Sequence, residues 1–146
     1  MNEQDLIREH LADGWQVYAD DGFIGLAGPF FHRSGPGGPA FRLATLPKHH
    51  NRNGVLQGGA LMTFIDRAMG ATARELTQTP HTATVQINVN FIDAVRIGEA
   101  VQAAPQMVRA TRQLIFMSGT FAVDERVVAV ATGVWKKIVH AGGRTL

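Results

Sequence analysis

The chain has 146 residues, 45% of them hydrophobic and 18% charged, with a formal net charge of +2. That describes one domain with enough apolar mass for a core and too few charges for a self-repelling, disordered chain. The basic surplus forms no cluster, no apolar run reaches about 18 residues, and cysteine is absent, so nucleic acid and membrane partners have no support and disulfides, Cys-type zinc sites and a Cys nucleophile are excluded.

The first residues, MNEQDLIREH, are polar and acidic, unlike a signal peptide, and the compartment expected is the cytoplasm. Residues 5–12 read as a short amphipathic helix with Leu6, Ile7 and Leu11 on one face and Gly14 as its stop. Residues 22–30, GFIGLAGPF, read as an irregular strand ending near Pro29. Residues 32–38 are loop material rich in Gly and Pro. Phe41, Leu43 and Thr45 alternate with Arg42 and Ala44, which predicts a strand closed by Pro47, suited to a sheet edge.

A polar loop, residues 48–59, leads into the principal helix. Leu61, Phe64, Ile65, Ala68 and Met69 recur at intervals of three and four, Thr72 interrupts the stripe and Leu76 resumes it. Pro80 sets a downstream stop. Gly70 either weakens this helix or lets something pack close to it.

The remainder reads as strands over 83–92, 99–110 (interrupted by Pro105), 112–123 and 126–138, followed by a tail. Val85, Ile87, Val89 and Phe91 share one face of the first; Leu114, Phe116, Ser118 and Thr120 share one face of the third. Short connections predict an antiparallel meander. One helix wrapped by a curved sheet is an α+β solution, and a doubly wound dinucleotide fold is excluded by the lack of repeated βαβ units.

Two features carry chemistry. Gly58 and Gly59 stand where the long helix begins. Its first N–H groups have no internal acceptor, so a ligand oxygen can approach there, as in an oxyanion hole; the plain alternative is a glycine hinge. Asp66 sits beside the apolar stripe. It reads as a general base or nucleophile, or as a surface carboxylate paired with Arg67 or Arg74. The two positions are eight residues apart, roughly 12 Å along a helix. They cannot touch one small group within a subunit, but two chains with antiparallel central helices would bring one chain's Gly58 to the other's Asp66.

Histidines 10, 32, 49, 50, 81 and 140 show no metal-binding spacing, and no metal is expected. Gly35-Pro36-Gly37-Gly38 lacks the lysine of a phosphate loop.

The stretch His49, Asn51, Gly54, Gln57-Gly58-Gly59, Asp66, followed by Ala68 and Gly70, resembles the hotdog-fold acyl-CoA thioesterases, in the branch typified by the phenylacetic-acid-degradation enzymes. The resemblance runs from about residue 38 to 137, within a single domain whose core is expected over about 22–138. It implies a hotdog fold and hydrolysis of a small or medium, aryl or alkyl, acyl-CoA, with coenzyme A as part of the substrate and no cofactor. Asp66 would attack the thioester or activate water, the Gly58 amide would polarise the carbonyl, Asn51 would orient substrate or water, and Thr84 would place the water. Gln57 stands where the family has His; it hydrogen-bonds but cannot titrate. Substrate contacts are expected from His49, Gly59, Met62, Phe64 and Met69, with Phe91 beside them and Arg109 and Arg112 on the nucleotide. The implied assembly is a homodimer, or a homotetramer built as a pair of dimers. The alternatives on the same fold are a non-catalytic acyl-CoA binding protein and an acyl-thioester hydratase or dehydratase.

Overall fold

A computed structural model describes residues 1–139 of the chain. The elements in order are α1 (Glu3–Ala12), β1 (Gln16–Val17), α2 (Phe23–Ala27), β2 (Phe30–Arg33), β3 (Ala40–Ala44), a 3₁₀ turn (Pro47–His49), α3 (Gly58–Thr77), β4 (Thr82–Phe91), β5 (Ala100–Ala103), β6 (Gln106–Ala110), β7 (Leu114–Val123) and β8 (Arg126–Lys137). The strands form one antiparallel sheet in the order β1-β2-β3-β5-β7-β8-β4, with β6 also paired to β7. The sheet curves around α3. This is the hotdog architecture that the sequence leads one to expect.

Helix α3 follows its apolar stripe. Leu61, Phe64, Ile65, Ala68, Met69 and Ala73 are buried against Phe30, Phe121, Ile115 and Trp135 of the sheet. Thr72 is buried with them because its hydroxyl donates to the Ala68 carbonyl at 2.7 Å, so no polar group is left unpaired. Leu76, expected to resume the stripe, is instead exposed: by then the helix is leaving the sheet.

Gly70 serves close packing. A Cβ there would stand 3.0 Å from Trp135 Nε1, and one at Gly133 would stand 2.5 Å from the ring of the same residue. Two missing side chains, one on the helix and one on β8, therefore make the slot for a fully buried indole.

On the other side of the sheet, α1 forms a small second core with Leu6 and Ile7 against Trp15, Phe31 and Ala44. Asn2 caps α1 by accepting from the Asp5 amide at 2.8 Å, and Gly14 ends it at φ 83°. Leu11 lies off the buried face and is exposed.

Three further expectations are corrected. Residues 23–27 are a helix, because the packed residues are Ile24 and Ala27, three apart, while Phe23 and Leu26 face outward. Strand β3 is interior, with β2 on one side and β5 on the other. The last strands are not a plain meander: β4 pairs with β8, not with β5. Helix α3 crosses the sheet and delivers the chain to its far rim, so residues 92–99 must return before β5 begins. β4 is thus a rim strand, and a bulge at Val85 breaks its expected alternation, leaving Val85 exposed.

The Trp135 slot sets a stability test. Gly133→Ala also brings its Cβ to 2.9 Å from the Gln86 carbonyl oxygen, and overpacking of this kind costs about 1–3 kcal/mol. Gly37→Ala, where a Cβ meets nothing within 4 Å, is the control and stays within about 0.5 kcal/mol of the parent. Urea unfolding midpoints of the two variants check this.

Candidate active site

The loop before α3 is built on His49. Its Nδ1 accepts from the Leu46 amide at 2.9 Å, and its Nε2–H donates to the carbonyls of Ala27 at 2.8 Å and Gly28 at 3.1 Å. That network requires the Nε2–H tautomer. Burial holds the imidazole below its ordinary pKa, against the pull of the two carbonyls. His49 was expected among the substrate contacts; with both nitrogens taken by backbone, it fastens this loop to the end of α2. Asn51 shapes the following turn, its Oδ1 accepting from the amides of Asn53 at 2.8 Å and Val55 at 3.3 Å. The Gln57 amide then donates to the His49 carbonyl at 2.8 Å, which fixes where α3 starts.

Gln57 is the N-cap of α3. Its Oε1 accepts from the amides of Gly59 and Ala60, and its carbonyl accepts from Leu61. A Cβ at Gly59 would stand 2.8 Å from that Oε1, so Gly59 makes room for the cap. Among the described residues the Gly58 N–H has no acceptor. Gly58 does not need positive φ, and a Cβ there would meet only Phe91, at 3.7 Å. Its missing side chain is therefore not required by the fold; it leaves one helix-start donor open to a visitor.

Asp66 forms no ion pair with Arg67 or Arg74. Arg67 pairs with Asp20 at 3.3 Å, and Arg74 donates to Tyr18 and Thr82 hydroxyls at 3.4 and 3.5 Å. The partner of Asp66 is Thr84, whose Oγ donates to Oδ1 at 2.7 Å. The β-bulge at Val85 immediately follows Thr84. Strand β4 thus flanks both features, with Phe91 beside Gly58 and Thr84 on Asp66.

Met62 is half-exposed, one turn from each of Gly58 and Asp66 on the same ridge. Phe64 and Met69, expected in an acyl pocket, are fully buried; Phe64 packs between Phe30 and Phe121 at ring distances of 5.4 and 5.8 Å. Their place on the stripe that faces the sheet commits them to the core. Two hollows flank the start of α3 instead. One, of about 380 Å³, is lined by Gly58 with Leu56, Leu61, Phe91, Ile92 and Val95. The other, of about 370 Å³, is lined by Gln57, Gly59, Ala60 and Thr63 with Phe23 and Leu26. Sequence reasoning misses α2 here, because it takes those residues for a strand.

Arg109 on β6 and Arg112 in the β6–β7 turn are exposed. Lys136 and Lys137 of β8 lie at the same end of the sheet, opposite Leu114 and beside the start of β4. Among the described residues no group of three or more His, Asp or Glu is gathered to hold a metal; His140 lies outside them.

The sequence pattern that describes the thioesterase superfamily matches residues 53–130, which include Gln57, Gly58, Asp66 and Thr84. The Pseudomonas aeruginosa protein named "Putative esterase PA0474" is 28% identical over 131 residues, covering 86% of this chain and 96% of its own. Two solved structures share the fold. A point mutant of the phenylacetic acid degradation protein PaaI of Thermus thermophilus superposes with a TM-score of 0.71 at 19% identity, over 81% of this chain and 100% of that one. A thioesterase protein of Streptococcus pneumoniae, described as hypothetical and solved with coenzyme A, gives 0.68 at 17% identity, over 77% and 88%.

The depressed His49 has a measurable consequence. Below about pH 6.5 the unfolded chain takes up a proton that the folded chain refuses, so stability falls as pH drops through that value toward the folded pKa. Urea unfolding at pH 7.5 and 5.5 should show lower stability at 5.5. His49→Gln should be less stable at pH 7.5 and show a flatter dependence over the same window.

Proposed function

The chain belongs to the thioesterase superfamily, and we propose that it hydrolyses the thioester of an acyl-coenzyme A with the Gly58 amide and Asp66 as the acting groups. The observation that carries this reading is the Thr84–Asp66 hydrogen bond of 2.7 Å. It fixes one carboxylate oxygen, leaves the other to take a proton, and puts a hydroxyl lone pair where a water can donate to it. A carboxylate held in that way acts on water as a general base. The binding of coenzyme A by the Streptococcus pneumoniae neighbour supports the choice of thioester.

Each bond change then has an owner. The thioester oxygen accepts from Gly58 N–H. Water adds to the carbonyl carbon while its proton passes to Asp66, and the carbonyl electrons move onto the oxygen at Gly58, where the donor stabilises the charge. The tetrahedral species collapses, the C–S bond breaks, and the proton on Asp66 goes to the leaving sulfur. The products are a carboxylic acid and the free thiol of coenzyme A.

Eight positions on α3 separate Gly58 from Asp66, about 12 Å of helix rise, so the reaction needs the partner's Asp66. Strand β4 supports such pairing. Among the described residues it has a neighbour on one side only, and Val85, Phe91 and the adjoining Ile92 are each more than half exposed along it. A second copy would satisfy the free backbone groups of that rim and cover those side chains.

Thiol release from acyl-CoAs, followed with a thiol reagent, is the direct test; saturable binding without release would reassign the protein as a binding module. Asp66→Asn should lower kcat by at least about 10²-fold while the protein remains dimeric in sedimentation. Gly58→Ala is more discriminating. It should leave stability unchanged or raised by up to about 1 kcal/mol, since alanine is the better helix residue and its Cβ meets only Phe91. It should still cut kcat/KM by about 10²–10³-fold through the blocked donor. A Gly58→Ala variant that is both stable and fully active would remove the carbonyl from this helix start.

A further inference from the structure

Helix α2 presents an arrangement that its own packing does not account for. Ile24 and Ala27 attach it to the core, while Phe23 and Leu26 are 68% and 76% exposed. These two side chains line a hollow at the first turn of α3 together with Gly59, Ala60 and Thr63. His49 fastens the end of α2 to the loop that fixes the start of α3. The wall and the open Gly58 donor are thus held by one set of hydrogen bonds, not joined by a loose linker.

We infer that α2 is the specificity wall of the acyl site, and that Phe23 and Leu26 select a compact apolar acyl group, aryl or medium alkyl, over acetyl. The inference rests on the thioesterase reading. A thioester carbonyl bound at Gly58 has an acyl group on one side and sulfur on the other; Gly58 itself lines the hollow beside β4, and its neighbours Gln57 and Gly59 line the hollow beneath α2. The hollow beside β4 carries Asp93, whose carboxylate is paired with Arg126 at 3.1 Å, so its rim is charged. It also lies along the strand that the partner would cover. The hollow beneath α2 has no carboxylate in its lining, and its polar side chains are already engaged: Lys48 with Glu3 at 3.0 Å, His49 and His50 with backbone carbonyls, Thr63 with the Gly59 carbonyl and Gln57 with the helix-start amides. An alkyl or aryl group loses least there, because it displaces water from apolar walls without stranding a charge. At about 370 Å³ the space is at the small end for ligand pockets, which suits a ring or a short chain. Phe23 and Leu26 also lie outside residues 53–130, the part matched by the superfamily pattern, so this wall is supplied by the chain's own N-terminal segment.

The test compares kcat/KM for acetyl-, hexanoyl- and phenylacetyl-CoA in the parent protein, in Phe23→Ala and in Leu26→Ala. Both residues are exposed, so the fold should tolerate the changes. The parent should prefer hexanoyl- and phenylacetyl-CoA to acetyl-CoA by at least about tenfold, and each variant should lose about tenfold on the larger substrates, chiefly in KM, with acetyl-CoA turnover within about twofold. Leu26→Trp, which fills the hollow, should exclude phenylacetyl-CoA while sparing acetyl-CoA. An unchanged ratio across substrates in all three variants overturns the inference and leaves the thioesterase reading standing. So does dissociation of the Phe23→Ala or Leu26→Ala protein to monomers in sedimentation, which would make the pair a contact between copies. A parent protein that releases thiol from no acyl-CoA overturns the thioesterase reading, and the wall falls with it.

Discussion

Helix α3 loses water over most of its length, and a single sheet has to supply that cover. The consequence is curvature: β7 and β8 must bend far enough for Phe121 to reach Phe64 and for Trp135 to reach Gly70. Glycine makes the bend possible at the tightest place. Trp135 enters only because Gly133 and Gly70 offer no Cβ to its ring. Apolar burial on this scale is worth far more than the helix propensity that Gly70 sacrifices, about 1 kcal/mol. The same enclosure fixes the route of the chain. A helix lying across the sheet must exit at a rim, and β4 takes that rim position with one side open.

The start of α3 shows how two adjacent glycines divide the work. Four donors are unpaired at any helix N-terminus. Here the His49 carbonyl takes the Gln57 amide and the Gln57 side chain takes Gly59 and Ala60, so among the described residues the Gly58 donor is left over. Gly59 exists in service of the cap, since a side chain there would collide with Gln57 Oε1. Gly58 has no such internal reason. A glutamine suits this arrangement because it accepts hydrogen bonds at any ordinary pH and carries no proton to lose. Among the loop's titratable groups, His49 is the one shut inside, where burial lowers its pKa.

The long-range consequences of the sequence were legible where a period or a motif was long. Twenty residues of helical stripe announce α3, and the Gly58–Asp66 interval is the motif on which the proposed two-chain site rests. Short segments were read less well. Within GFIGLAGPF the segment FIGLA has two apolar residues outward and two inward, so its composition does not distinguish a strand from a turn of helix; only the packing of Ile24 and Ala27 decides. The position of β4 at the rim was equally hidden, because alternation along a strand records which face is apolar and not which neighbour it pairs with. The mate of Asp66 was a matter of reach. Arg67 and Arg74 are nearest in sequence, yet Asp20 and Tyr18, brought in by the N-terminal segment, engage them first and leave the carboxylate to Thr84.

For the proposed thioester hydrolysis, that diversion of the arginines would matter. A guanidinium on Asp66 would stabilise its charged form and blunt it as a base. A hydroxyl donor orients the carboxylate without neutralising it. In the proposed site the N-terminal segment would therefore act twice without entering the matched superfamily region: Asp20 pairs with Arg67, which leaves the carboxylate to Thr84, and Phe23 and Leu26 of α2 line the hollow at the first turn of α3. Both effects depend on the segment being pinned, and the pins are the His49 bonds to Ala27 and Gly28 and the Arg67–Asp20 pair. In the proposed mechanism the helix sets the spacing of Gly58 and Asp66, and the segment that precedes it sets their surroundings.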